Sequence, residues 1–246
     1  MDRNNYEAEI SLEKKHWWYV TRRLLLKKIC DIYLDKRKKL NILEIGCGSG
    51  GNFRFLSGYG ELCAMETNNN ALKHARSKNI CEVRYGKLPY NIPYNRTFDI
   101  ICLFDVLEHI QDDKLSLDNI YKYLNTNGKI ILTVPAYMFL WSGHDIASHH
   151  KRRYNKNQII HLLQTSGFTI DYSSYFFSVL LPIIAFVRFI QRIFYKNTIK
   201  HDIRDENKIL NYLLIKIFSV ESNLIPNISL PFGVSFISVG VKKSSY

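Results

Sequence analysis

Leu40-Asn41-Ile42-Leu43-Glu44-Ile45-Gly46-Cys47-Gly48-Ser49-Gly50, followed by Leu62-Cys63-Ala64-Met65 and then Glu66-Thr67, decides the fold. The apolar run 40–45 suits a buried parallel strand, and three glycines within five positions let the backbone turn tightly and approach a ligand. Residues 62–65 read as a second strand that ends at Glu66, where a nucleotide-binding fold places a carboxylate accepting hydrogen bonds from ribose hydroxyls. The spacing points to a cofactor that contains adenosine.

A nicotinamide dinucleotide would want G-x-G-x-x-G, so that its pyrophosphate can sit on a helix N-terminus. Here the loop reads E-x-G-C-G-S-G, and Glu44 at its mouth would repel a pyrophosphate. A carboxylate there suits a ligand with an amino group, such as the methionine part of S-adenosylmethionine. Taken with Glu66, the loop resembles that of class I S-adenosylmethionine-dependent methyltransferases.

The 246 residues suffice for one sizeable α/β domain with an elaboration, and a 46% hydrophobic content is ordinary for a globular core. The five cysteines form no C-x-x-C pair, and several fall in expected strands or the glycine loop. They read as reduced core residues in a cytoplasmic protein, with no zinc site built on cysteine. Residues 1–20 carry charges throughout and no apolar signal core. A net charge of +12 calls for an anionic partner without saying whether it is nucleic acid, a membrane face or a phosphate-bearing metabolite.

Helical periodicity over Glu7–Tyr33 predicts one or two N-terminal helices, which carry the cluster His16-Trp17-Trp18-Tyr19 and then Arg22-Arg23. Helices are expected near 51–57, 70–77, 113–124 (closed by Asn127-Gly128) and 155–167. Strands are expected at 40–45, 62–66, 81–85, 98–104, 129–134, 168–175 and 233–242. The alternation predicts a Rossmann-like, seven-stranded doubly wound sheet with helices on both faces. Its expected organisation is a helical lid over 1–38, the cofactor-binding core over 39–175, an apolar and basic helical insertion over 176–230, and the last core strand within 231–246.

Phe104-Asp105-Val106-Leu107-Glu108-His109 follows the fourth strand, and ligands in open α/β sheets bind at such carboxyl ends, so Asp105, Glu108 and His109 would face the cleft. This segment is similar to that of quinone-type and sugar-type small-molecule methyltransferases. An adenine-amine methyltransferase would carry Asp or Asn, Pro, Pro and an aromatic at this place, and a base-methylating enzyme a cysteine after the proline of Val134-Pro135-Ala136. Neither is present.

After the fifth strand the chain reads Trp141, His144-Asp145 and then His149-His150-Lys151-Arg152-Arg153-Tyr154, a polar and aromatic loop of the kind a rigid scaffold uses to hold substrates. Histidine can take a proton from a hydroxyl at neutral pH, and arginine can hold a phosphate or carboxylate with paired hydrogen bonds. The histidines are also compatible with a metal cluster, but they lack a ligand spacing and arginines crowd them, so no metal is expected. A plain helix-capping loop with charged ends is the other reading.

His16-Trp17-Trp18 with Arg22-Arg23, His149 to Tyr154, and Leu230-Pro231-Phe232-Gly233-Val234-Ser235 together resemble a bacterial small-molecule subgroup of these methyltransferases associated with cell-envelope glycan and lipid pathways. One departure is Gly86-Lys87, standing where the resemblance calls for an acid that contacts adenine. The resemblance implies that Glu44, Gly46, Cys47, Gly48, Ser49, Gly50, Glu66, Thr67, Phe104 and Asp105 hold the cofactor, with Trp17, Trp18 and Arg22 closing over it. His109, His149 and His150 are the candidate bases, with Arg153 and Tyr154 on the acceptor side.

The expected reaction is methyl transfer from S-adenosylmethionine to a hydroxyl or amine of a small or lipid-linked acceptor. Two other classes stay open: an RNA or protein methyltransferase that uses the basic face, and a protein that binds the cofactor without catalysis. Nucleic acid is not the expected partner. Residues 179–196 form an amphipathic stretch with Arg188, Arg192 and Lys196 on one face. It is too short to span a bilayer and suits either the inner membrane surface or a lid on the protein's own core.

Overall fold

The computed structural model describes residues 12–194 and 207–243, with side chains in the first span described through residue 190. Helix α1 (Trp17–Tyr33) starts where His16 Nδ1 accepts the N–H of Trp18, and its Leu25, Leu26, Ile29 and Cys30 recur at one-, three- and four-residue steps as a buried stripe. Then come β1 (Leu40–Ile45), α2 (Phe53–Leu56), β2 (Gly60–Glu66), α3 (Asn69–Ser77), β3 (Glu82–Tyr85) and β4 (Phe98–Phe104). The second half holds α4 (Asp113–Tyr123), β5 (Leu124–Pro135), α5 (Gly143–Ala147), α6 (Lys156–Thr165), β6 (Phe168–Phe176), α7 (Leu180–Phe194), α8 (Lys208–Leu224) and β7 (Ser235–Lys242).

All seven strands join one sheet in the order β3-β2-β1-β4-β5-β7-β6. The first five run parallel, and β7 lies antiparallel between β5 and β6. Strand order reverses on either side of β1 and β4, which makes their carboxyl ends the crevice where a ligand binds. Two core clusters flank the sheet. One joins α1, α2 and α3 to one face, and the other packs α4 and α6 on the opposite face.

Several element boundaries differ from the sequence expectation. The helix after the glycine loop is a single turn, because Gly50 and Gly51 precede its first buried residue, Phe53. Strand β5 starts at Leu124, directly after α4, so Asn127-Gly128 does not stop a helix; Asn127 takes φ +62° and turns the chain inside an extended segment. The insertion is folded into the main core, since Phe177, Phe218 and Ile225 belong to the same cluster as Leu25 and Ile29. Phe218 of α8 packs between Trp17 (ring centroids 5.4 Å) and Phe177 (4.9 Å), while Asn211 accepts the N–H of Trp17 at 2.7 Å and donates to the carbonyl of Lys15 at 2.9 Å. No helix among the described residues is long and apolar enough to cross a membrane.

Candidate active site

The loop after β1 turns through Gly46 (φ +67°), Gly48 (φ +55°) and Gly50 (φ +81°), a left-handed region that side chains strain to enter. The three glycines serve different ends. A Cβ at Gly46 would meet Val106 Cγ2 at 2.6 Å, and one at Gly50 would meet the Phe53 ring at 2.5 Å, so both are needed for packing. A Cβ at Gly48 would meet nothing within 4 Å, which marks the open side of the loop.

Glu66 braces that loop from the end of β2. Its Oε2 accepts the N–H of Gly48 at 2.8 Å, and its Oε1 accepts those of Thr67 and Asn68, each at 2.8 Å. Thr67 contributes its backbone here and its side chain is exposed. Glu44 is buried in β1, where burial pushes its carboxyl up to about 7. Its Oε1 accepts from Asn52 Nδ2 at 2.7 Å, and its Oε2 has no hydrogen-bond partner among the described residues. A half-satisfied buried carboxyl beside an open glycine cradle fits a ligand that carries an ammonium group.

A cavity of about 140 Å³ lies over this loop, lined among others by Arg22, Gly46, Cys47, Gly48 and Phe104. It is below the ~300–1,000 Å³ usual for ligand pockets, and Glu13 is among the residues that line it. The Glu13 carboxylate accepts the Ser49 hydroxyl and stands beside Gly51. Glu13 and Asn52 were not singled out from the sequence, since neither lies within the glycine motif.

A second cavity, of about 490 Å³, opens on the other side of the β4 end. The two meet at Phe104-Asp105: Phe104 lines the first and Asp105 the second. Arg22 closes the wall between them by pairing with Asp105 Oδ2 at 2.5 Å and donating to Thr133 Oγ1 at 3.2 Å. Trp17 and Trp18, expected over the cofactor, line the second cavity instead, because their rings pack on Phe177.

Glu108, His109, His150 and Arg153 come together in the second cavity. His150 Nδ1 lies 2.9 Å from Asp145 Oδ1, a contact that fixes the orientation of the ring. Asp145 is fully buried, and although burial alone would raise its carboxyl, His150 and Arg153 hold it well below the usual carboxylate range. Arg153 contributes a fork to both Asp145 oxygens, at 2.7 and 2.9 Å. Arg153 therefore orients Asp145, and its guanidinium is largely spent on that carboxylate. Asp145 was passed over as a site residue, although Ser142-x-x-Asp145 is a readable capping box that starts α5.

Burial, followed by the neighbouring His150, lowers His109 to about 4, so its ring is neutral near pH 7. Burial, followed by the charge of Asp105, pushes Glu108 well up, and neither of its carboxylate oxygens has a hydrogen-bond partner among the described residues. Glu108, His109 and His150 each bring a ligand-capable atom within 4.8 Å of the others, an arrangement also open to a cation. Two expected site residues lie elsewhere. His149 is exposed at φ +58° and does not line the cavity, and Tyr154 is buried with its hydroxyl on Asp113 Oδ2 at 2.9 Å.

Residues 17–173 match the family model described as the methyltransferase domain. The chain belongs to this family. An S-adenosylmethionine-dependent methyltransferase of Mycolicibacterium smegmatis is 20% identical over 164 residues, covering 65% of this chain and 62% of the relative. The mitochondrial ubiquinone biosynthesis O-methyltransferase of Dictyostelium discoideum is 28% identical over 145 residues, covering 47% and 45%. The matched segment thus spans less than two thirds of either relative. Among solved structures, a chain from the complex of the Haloferax volcanii Trm112 methyltransferase activator with a methyltransferase superposes at a TM-score of 0.64, with 13% identity over 98% of this chain and 95% of that one. An S-adenosylmethionine-dependent methyltransferase from Mesorhizobium loti gives 0.59, with 12% identity over 87% and 96%. The family's cofactor is S-adenosylmethionine, and the β1 glycine loop with Glu44 and Glu66 has the features that fit it.

Proposed function

We propose that this protein transfers the methyl group of S-adenosylmethionine to a hydroxyl or amine of a small or lipid-linked acceptor. The observation that carries the reading is the meeting of the two cavities at Phe104-Asp105, with a cofactor loop on one side and a histidine oriented by a carboxylate on the other. When bound, S-adenosylmethionine supplies an electrophilic methyl on a positively charged sulfur.

The chain's own part is to bind, align and move one proton. Glu66 and the amides around Gly48 form the ribose end of the cradle, and Glu44 faces the ammonium end. Trp17, Trp18 and Leu140 line the acceptor side with apolar surface, which excludes water and favours a close approach of acceptor and methyl. His150 Nε2 takes the acceptor proton as the new bond to carbon forms, and Asp145 stabilises the imidazolium that results. A cell-envelope glycan or lipid precursor as acceptor is in keeping with the subgroup that the tryptophan and histidine motifs resemble.

Purified protein incubated with methyl-labelled S-adenosylmethionine and separated lipid, glycan and RNA fractions tests the reading. Label entering the lipid or glycan fraction supports it. Label confined to RNA, or no transfer to any fraction, refutes it.

A further inference from the structure

Helices α7 and α8 each use one face inward and leave a second apolar face outward. Leu181 and Ala185 of α7, with Phe218 of α8, pack on the core. On the outward side, Phe186 is 66% exposed and Phe189 60%, and on α8, which lines the same cavity through Leu214, Ile209 is 71% exposed, Leu213 51% and Val220 61%. The residues recur at steps of three, four and seven, so each set shares one side of its helix. A helix facing water would carry charges there, and contiguous exposed patches of this kind mark interaction sites.

The exposed charges on the described residues of the two helices have one sign. From residue 180 to 200 the sequence carries Arg188, Arg192, Lys196 and Lys200 and no acid, although the side chain of Arg192 and all of Lys196 and Lys200 lie outside the described residues. On α8 the exposed charges are Lys208 and Lys216. Its one acid, Glu221, is turned inward, where its carboxylate accepts the N–H groups of Phe177 and of Ser178, the latter at 2.9 Å. A second copy packed face to face would set lysines of like charge against one another and cover the cavity mouth. An anionic lipid surface complements both the apolar face and the lysines.

The large cavity opens at the same place. Leu180, Ile184, Val187 and Arg188 of α7 and Leu214 of α8 line it, and Val187, 43% exposed, belongs to the cavity wall and to the outer face alike. We infer that α7 and α8 together form a docking face for an anionic bilayer surface, and that the acceptor is a membrane-borne amphiphile whose head enters between them. The docking stands on this surface alone, whereas the acceptor half rests on the methyl-transfer reading above. The chains of the amphiphile stay in the lipid while its head reaches His150.

Sedimentation of the full chain with phosphatidylcholine vesicles, with and without phosphatidylglycerol, tests the docking and needs no acceptor. The protein is expected to pellet with the anionic vesicles, and added salt to weaken this by screening. Substituting Phe186→Ser, Ile209→Ser and Leu213→Ser together should lower partitioning roughly tenfold or more by removing the apolar surface. S-adenosylhomocysteine affinity should be unchanged in that variant, which shows that it is folded. Protein that stays in the supernatant with both vesicle types at low salt, or a dimer in solution that this triple variant converts to monomer, overturns the docking. If docking holds and label from S-adenosylmethionine enters only water-soluble products, the membrane-borne acceptor is overturned. If no fraction takes label, it is the methyl-transfer reading that fails.

Discussion

Gly48 separates binding from packing more cleanly than its neighbours, because its missing Cβ faces open space while Gly46 and Gly50 face Val106 and Phe53. Gly48→Val is expected to abolish S-adenosylmethionine binding while the domain stays folded, read by titration calorimetry beside circular dichroism. Binding of NAD in place of S-adenosylmethionine would contradict the assignment. Glu44 gives a pH dependence whose sign follows from its raised carboxyl, at about 7 against 4.5 in the unfolded chain. The folded chain holds that proton more tightly, so the ~3 kcal/mol it contributes is present at acid pH and is lost as pH rises through about 7. His109 works in the opposite sense: with its ring lowered to about 4 from 6.5, its contribution is lost as pH falls through that interval. Glu44→Gln should therefore remove a downward slope of stability between about pH 4.5 and 7. It should also flatten a rise in cofactor affinity over the upper part of that range, since an ammonium ligand favours the ionised carboxylate. An unchanged slope in calorimetric unfolding would remove Glu44 from that role. On the acceptor side, His150→Ala should lower kcat by ~10²–10⁴, the usual worth of a positioned base, with S-adenosylhomocysteine affinity unchanged. His149→Ala should leave turnover at its original value, because that ring lies outside the cavity.

Among the elements, what could be read from the sequence was whatever is local. The strand, glycine loop, strand and acid of residues 40–66 specify their own geometry, and alternating apolar segments gave all seven strands of the sheet. Pairing between distant segments was not legible. The contact of α8 with α1 joins Asn211 to Trp17 and Phe218 to the same tryptophan, and no period in either helix announces the other. Trp17 and Trp18 were consequently expected over the cofactor, when the partner ring of Phe177 draws them to the second cavity. Tyr154 and His150 share one loop, yet the chain turns Tyr154 inward to Asp113 and His150 toward Asp145. Alternation along an irregular loop cannot tell which side chain faces the cavity. If the insertion is part of the core, Phe218→Ala should destabilise the whole domain by about 3–5 kcal/mol in a single cooperative transition. A separate early transition of the insertion would contradict that.

For the molecule as a whole, a net charge of +12 and the exposed apolar faces of α7 and α8 act together with the position of the cavity mouth. On the proposed docking, the charge would bring the protein to an anionic surface, the apolar faces would hold it there, and the opening lined by the two helices would meet what that surface contains. The proposed chemistry places acceptor and methyl together at the Phe104-Asp105 junction between the two cavities, with His150 as the base. The most direct measurement is single-turnover transfer of labelled methyl from S-adenosylmethionine to a lipid extract, comparing the native chain with His150→Ala at saturating cofactor. Label should enter a lipid product with the native chain and slow by at least about a hundredfold in the variant, with cofactor affinity the same. Equal rates in the two proteins, or cofactor binding with no labelled product from any fraction, would contradict methyl transfer across the Phe104-Asp105 wall.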